Sequence, residues 1–87
     1  MKMIVAILSD ADSEPVSQAL IETGFRVTRI ASTGGFLRRG SSTLMIGVDD
    51  EQLDNAIEVI RHSTTPVETG LKRGTLFVLN VAHFEQV

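Results

Sequence analysis

The part of this chain best suited to holding a small anion is rich in arginine and glycine. It runs from residue 26 to residue 40 and reads RVTRIASTGGFLRRG. Adjacent glycines let a backbone approach a ligand closely and point its N–H groups at that ligand. Arginine adds a fixed positive charge and forked donors that match phosphate. Because the whole chain carries a net charge of −3, this local positive charge predicts an anion-binding site.

Catalytic and metal-binding patterns are weak in the rest of the sequence. Cysteine is absent, which removes thiol nucleophiles and cysteine metal sites. His62 and His83 are the only histidines, and they are too isolated to form a zinc pattern. Carboxylates cluster at Asp10 and Asp12 and at 49–51, where helix capping and the helix dipole explain them better than metal binding. We therefore expect a protein that is not an enzyme and needs no metal or cofactor.

Length and composition predict a single domain over residues 1–87. A chain of 87 residues that is 43% hydrophobic holds one small core, so association with further copies is the expected source of extra stability. The acidic balance and the absence of Trp and Tyr argue against a nucleic acid polymer as a partner. No apolar run is long enough to span a membrane, and the first residues do not form a signal peptide. A cytoplasmic protein without a membrane partner is expected.

The hydrophobic pattern predicts the elements that position the arginine–glycine segment. Lys2 to Leu8 is apolar on both alternations, as in a strand covered on both faces. A helix is expected to follow, capped by Asp12 or Ser13 and with Pro15 in its first turn. Gly24 is its expected end.

Three further strands and a second helix complete the predicted fold. The helix begins at the acidic residues 49–51 and ends near His62, and the strands are predicted at 25–32, 42–48 and 75–82. A loop at 33–41 and a short irregular hairpin at 63–74 connect them. This order is that of an α+β, ferredoxin-like split βαβ fold, with an antiparallel sheet and two helices on one face. The other face of the sheet would be open, and subunits of such domains commonly meet there.

Several stretches of the sequence resemble the PII-like cyclic-di-AMP receptor family of bacteria. The most distinctive is Thr33-Gly34-Gly35-Phe36-Leu37-Arg38. Further matching stretches occur in the family's order, at 1–7, 25–28, 47–50, 75–81 and 83–86. The resemblance implies a signalling protein in which ferredoxin-like subunits form a homotrimer. One cyclic-di-AMP molecule would bind in each cleft between neighbours, and the downstream protein partner is unknown.

The resemblance also implies which residues contact this ligand. Arg26 and Thr28, on the exposed face of the second strand, would contact the phosphates and an adenine edge, and Val27 between them is a further expected contact. Gly47 would let the ligand lie close to the third strand. The loop at 33–41 would close on the ligand and wrap one adenine. The remaining expected contacts are Gly35, Phe36, Leu37, Ser41, Phe77 and Gln86, of which Phe77 would build the base pocket and Gln86 would reach across with its amide.

Departures from the family pattern leave alternatives open. Relatives usually carry asparagine at the position of Ser41 and often at that of Gly24, and they have a long loop in place of residues 63–74. The alternatives are a PII-like protein that prefers ATP or ADP, and a structural or interaction subunit that has lost its ligand. An enzyme of the acylphosphatase type is disfavoured, because the segment after the first strand, 9–12, is acidic and would repel phosphate.

Overall fold

The fold is a four-stranded antiparallel sheet with two helices on one face. The computed structural model describes residues 1–30, 40–64 and 74–87. Its elements are β1 (Lys2–Ser9), α1 (Asp10–Thr23), β2 (Arg26–Ile30), β3 (Ser41–Val48), a short 3-10 turn (Asp50–Gln52), α2 (Leu53–Ser63) and β4 (Gly74–Asn80). The strand order across the sheet is β2-β3-β1-β4. This is the predicted ferredoxin-like split βαβ arrangement.

The register of the sheet decides which residues share a face. β1 pairs with both β3 and β4 and places Met3 opposite Gly47 on one side and Leu79 on the other. β2 pairs with β3 and places Arg26 opposite Gly47. Successive side chains of a strand point to opposite faces. One row of residues, Arg26–Gly47–Met3–Leu79, therefore crosses the face that the helices leave open.

The core lies between the helices and the covered face of the sheet. Alternate residues of β1 and β3 supply the sheet side, and residues spaced three or four apart supply the helix side. The fully or nearly fully buried residues are Ile4, Ala6, Leu8, Leu44, Ile46 and Val48 of the strands, and Val16, Leu20, Ala56 and Ile60 of the helices. Neither helix has the length and apolar composition needed to cross a membrane; this holds for the described ranges.

Helix α1 begins earlier than the sequence pattern predicts. Its N-cap is Ser9, whose Oγ accepts a hydrogen bond from the amide of Asp12 at 3.3 Å. The predicted caps, Asp12 and Ser13, are instead buried residues within the helix. Pro15 lies beyond the first turn and removes one backbone donor. The predicted start was wrong because Pro15 was assigned to the first turn, although the hydroxyl of Ser9 is the group that satisfies the free amides.

The other boundaries follow the prediction closely. Gly24 ends α1 with a φ of 103°, a left-handed conformation that favours glycine. The strand predicted at 25–32 starts at Arg26, and residues 31–32 lie outside the described residues. Ser41 was assigned to the loop but is the first residue of β3, opposite Ser9. The strand predicted at 75–82 runs from 74 to 80, and most of the predicted 63–74 hairpin lies outside the described residues.

Candidate functional site

A groove of about 680 Å³ opens at the β2 edge of the sheet, beside the end of α1, and its wall includes residues of both faces of the sheet. Among the described residues, the one charged side chain in its wall is that of Arg26. Most of the remaining wall is apolar and comes from the start of the chain, α1, the link between α1 and β2, β3 and the C-terminal segment: Met1, Met3, Ile21, Phe25, Met45 and Phe84. The groove thus combines a single cation with a surface suited to a flat apolar ring.

Half of the residues predicted to contact the ligand line this groove. They are Arg26, Val27, Thr28, Gly47 and Gln86. Arg26 and Thr28 lie on the open face of β2, and Gly47 stands opposite Arg26 on β3. Gln86 reaches the same groove from the segment that follows β4. Residues far apart in the sequence are therefore brought together at one end of the sheet.

Two predicted contacts lie elsewhere in the same subunit. Phe77 is on β4, which is three strands away from β2 in the observed order. Three strand spacings correspond to about 14 Å. Ser41 and Gly47 are at opposite ends of β3, about 20 Å apart for an extended strand. Neither Phe77 nor Ser41 lines the groove. The predicted loop contacts, Gly35, Phe36 and Leu37, lie outside the described residues.

Arg26 differs from the other arginines in the described ranges because it has no ion-pair partner. The Nη1 atom of Arg29 lies 3.1 Å from Oε2 of Glu14. The Nη1 atom of Arg61 lies 2.7 Å from Oε1 of Glu58. Arg26 points to the opposite face of β2 from Arg29, is exposed and borders the groove. Its guanidinium is available to bind an anionic group.

A second space, of about 550 Å³, shares residues with the groove and is more polar. The shared residues are Met1, Phe25, Arg26 and Gly47. The other walls of this polar chamber are Thr23, Gly24, Val48, Asp49 and Gln52. Arg26 therefore stands between an apolar groove and a polar chamber. A ligand with an anionic centre, an apolar ring and polar substituents could use both spaces.

The sequence did not predict the apolar wall of the groove. Met1 and Met3 alternate with Lys2 along β1, so their common face could be read from the sequence, but their proximity to Arg26 depends on the register of β1 against β3. Phe84 follows β4, and no local pattern indicates that it would line this groove. In the part of the chain that the structure describes, no group of His, Asp or Glu side chains is arranged to hold a metal ion.

Comparison with known proteins identifies the family and the fold of this chain. The model of a family described as cyclic-di-AMP receptor matches residues 1–66, which include Arg26, Thr28 and Gly47. The crystal structure of a functionally unknown protein from Pediococcus pentosaceus ATCC 25745 is similar at 30% sequence identity and a TM-score of 0.80. That similarity covers 99% of this chain and 96% of the other. The fold and these matches define a small ferredoxin-like protein of the PII-like type, and the chain belongs to the cyclic-di-AMP receptor family.

Proposed function

We propose that this protein is a bacterial signalling protein that binds cyclic di-AMP in clefts between the subunits of a homotrimer. The observation that carries the proposal is the unpaired guanidinium of Arg26 above an apolar groove, in a chain that belongs to the cyclic-di-AMP receptor family. Cyclic di-AMP presents the two matching groups, since it joins adenine rings to phosphodiester anions.

Different residues of the groove would contact different parts of the ligand. Arg26 would hold a phosphate through charged, forked hydrogen bonds, which are stronger than neutral ones. An adenine ring would lie on the methionine and phenylalanine side chains, whose polarisable surface accommodates aromatic rings. The hydroxyl of Thr28 and the amide of Gln86 can each donate and accept, and they would contact the edge of the base.

The open face of the sheet supports association with further copies. Phe77 and Leu79 on this face are 52% and 51% exposed, and Met3 and Val5 lie beside them in the register. Val78 points to the helix side, yet it is 43% exposed. Among the described residues, β4 therefore exposes apolar side chains on both faces, although Leu76 packs against the core; exposed apolar surface of this kind is typical of subunit contacts. A neighbouring subunit that covers β4 would also bring Phe77 toward a second copy's groove.

The glycine-rich loop at 33–41 would close on the ligand and carry the signal. Gly35, Phe36 and Leu37 would surround one adenine, and Ser41 would contact its edge at the start of β3. Ligand can shift the loop only if it binds one loop state more tightly than another. A downstream protein would distinguish the two states, and the protein itself would catalyse no reaction.

The test is isothermal titration calorimetry with cyclic di-AMP, with cyclic di-GMP and ATP as matched nucleotides. We expect tight, selective binding of cyclic di-AMP near one ligand per subunit, and a trimeric mass by light scattering. Stronger binding of ATP would replace cyclic di-AMP by an adenine mononucleotide as the ligand. Absence of heat and of any thermal shift with all the nucleotides would contradict a sensor function altogether.

A further inference from the structure

Asp49 lines the polar chamber beside Arg26, and its carboxylate has no hydrogen-bond or ion-pair partner among the residues that the structure describes. It occupies the N-cap position of the 3-10 turn, but its side chain makes no capping hydrogen bond. Its main-chain oxygen accepts from the amide of Gln52 at 2.9 Å. The adjacent Asp50 is used differently, since its Oδ1 lies 3.2 Å from the amino group of Met1. Helix capping therefore does not explain the side chain of Asp49.

Arg26 and Asp49 line the same chamber without forming an ion pair. Salt bridges in the described ranges involve neither of them, although opposite charges in one small space attract. A bare phosphate on Arg26 would be repelled by the carboxylate of Asp49. A ligand that suits both residues must bring an anion for Arg26 and a hydrogen-bond donor for Asp49. Gln52, on the same wall, adds a further amide.

A ribonucleotide brings these two groups together within a few bonds. In a 3′,5′-linked cyclic dinucleotide, the carbon that bears the 2′-hydroxyl is bonded to the carbon that bears the 3′-phosphate. A phosphate held by Arg26 therefore places a hydroxyl donor close by. Carboxylates accept hydrogen bonds from hydroxyls, acidic side chains bind ribose in dinucleotide-binding folds, and the 2′-hydroxyl is the group by which proteins distinguish RNA from DNA.

We propose that Asp49 accepts a hydrogen bond from a ribose 2′-hydroxyl of the ligand bound at Arg26. The ligand's base lies on the apolar side of Arg26, in the groove, and its ribose lies on the polar side, in the chamber. Asp49 is thus a specificity-determining residue that selects a ribonucleotide over its deoxyribonucleotide analogue. This inference rests on the proposed function, because it needs a phosphate of the cyclic dinucleotide at Arg26.

The test compares cyclic di-AMP with its 2′-deoxy analogue by calorimetry on the wild-type protein and on Asp49→Ala. The wild-type protein is expected to bind cyclic di-AMP at least roughly tenfold more tightly than the 2′-deoxy analogue, which is the effect of a hydrogen bond to a charged group. Asp49→Ala is expected to lose this preference and to bind the deoxy analogue at least as tightly as the wild type does, because the carboxylate no longer repels phosphate. If Asp49 had only a structural role, Asp49→Ala would weaken the binding of both ligands by the same factor.

Asp54→Ala is the matched control variant. Asp54 is an exposed carboxylate in the first turn of α2 and lines neither space, so this variant should keep the wild-type preference. Equal affinity of the wild-type protein for the two ligands, or a preference that persists in Asp49→Ala, would overturn the role of Asp49 and leave the proposed function intact. Failure of the wild-type protein to bind cyclic di-AMP would overturn both.

Discussion

Gly47 and Met1 are so close that a Cβ atom at position 47 would lie 2.9 Å from Cε of Met1. Gly47 also stands opposite Arg26 in the sheet. The end of the Met1 side chain therefore lies over β3 at the residue that pairs with Arg26, and the missing side chain of Gly47 leaves room for it. Any side chain at position 47 must displace Met1, and the displaced thioether would enter the groove or the chamber that Met1 borders.

Gly47→Ala should weaken the binding of cyclic di-AMP several-fold with little change in melting temperature. The atom displaced is the end of a flexible side chain, which can move at low cost to the fold. Calorimetry would measure the affinity, and thermal unfolding would report on the fold. Unchanged affinity would show that the ligand does not approach β3 at this position.

Arg26→Ala should reduce the affinity for cyclic di-AMP by about 1.5–3 kcal/mol, the range for hydrogen bonds to a charged group. Arg29→Ala is the matched control, since Arg29 lies on the same strand but pairs with Glu14 on the opposite face. It should bind ligand as the wild type does. Arg26→Lys should fall between the two, because lysine keeps the charge and loses the fork. Equal losses in the two alanine variants would indicate a general electrostatic effect and not a contact.

The fold could be predicted from the sequence because its strands and helices carry clear periodic patterns. The continuous apolar run of β1 and the three-four spacing in α2 are local signals, and residues of both elements lie in the core. The start of α1 was missed because Pro15 was assigned to the first turn, which made Asp12 or Ser13 the expected cap. The observed N-cap is Ser9, and its choice depends on where β1 ends. Local sequence does not contain that information.

The candidate site could be predicted only in part. Arg26, Thr28 and Gly47 belong to motifs that the family resemblance identified, and the groove brings them together. The apolar wall and the polar chamber depend on register and on the path of the chain after β4. The unpaired state of Arg26 likewise depends on where every acidic side chain lies in three dimensions. These are tertiary properties that no single stretch of sequence carries.

Phe77→Asp should convert the proposed trimer into a folded single subunit. Phe77 is 52% exposed in the single chain, so its loss should not unfold the domain, but a buried charge at a subunit contact is costly. Light scattering would measure the mass, and circular dichroism would check the fold. Gln18→Asp adds the same charge on the exposed surface of α1 and should leave the assembly unchanged. A Phe77→Asp variant with the wild-type mass would place the contact elsewhere.

Gly74→Ala should destabilise the domain by about 1–3 kcal/mol, the usual cost of overpacking. A Cβ atom at position 74 would lie 2.6 Å from Cδ2 of Leu8 and 2.8 Å from the carbonyl oxygen of Ile7. Because the second of these is backbone in a central strand, it cannot move aside as a side chain end can. Urea unfolding would measure the loss. A variant as stable as the wild type would mean that β4 shifts along β1 without cost.

Gly24→Asn should strengthen the binding of cyclic di-AMP. Gly24 lines the polar chamber, and an added Cβ atom would meet nothing within 4 Å. Its φ of 103° disfavours most side chains, but asparagine enters the left-handed region more readily than most residues. The new amide would lie in the chamber with Arg26, at a position where the family resemblance leads us to expect asparagine.

Gly24→Ala is the control for this substitution, because it adds the Cβ atom and the backbone cost without the amide. The alanine variant should lose some stability in thermal unfolding and gain no affinity in calorimetry. An asparagine variant that binds no better than the alanine variant would mean that the ligand leaves the chamber empty. The proposed contact with Asp49 lies in the same chamber. If Gly24→Asn gains affinity for cyclic di-AMP but not for its 2′-deoxy analogue, residues 24 and 49 contact the same bound ligand.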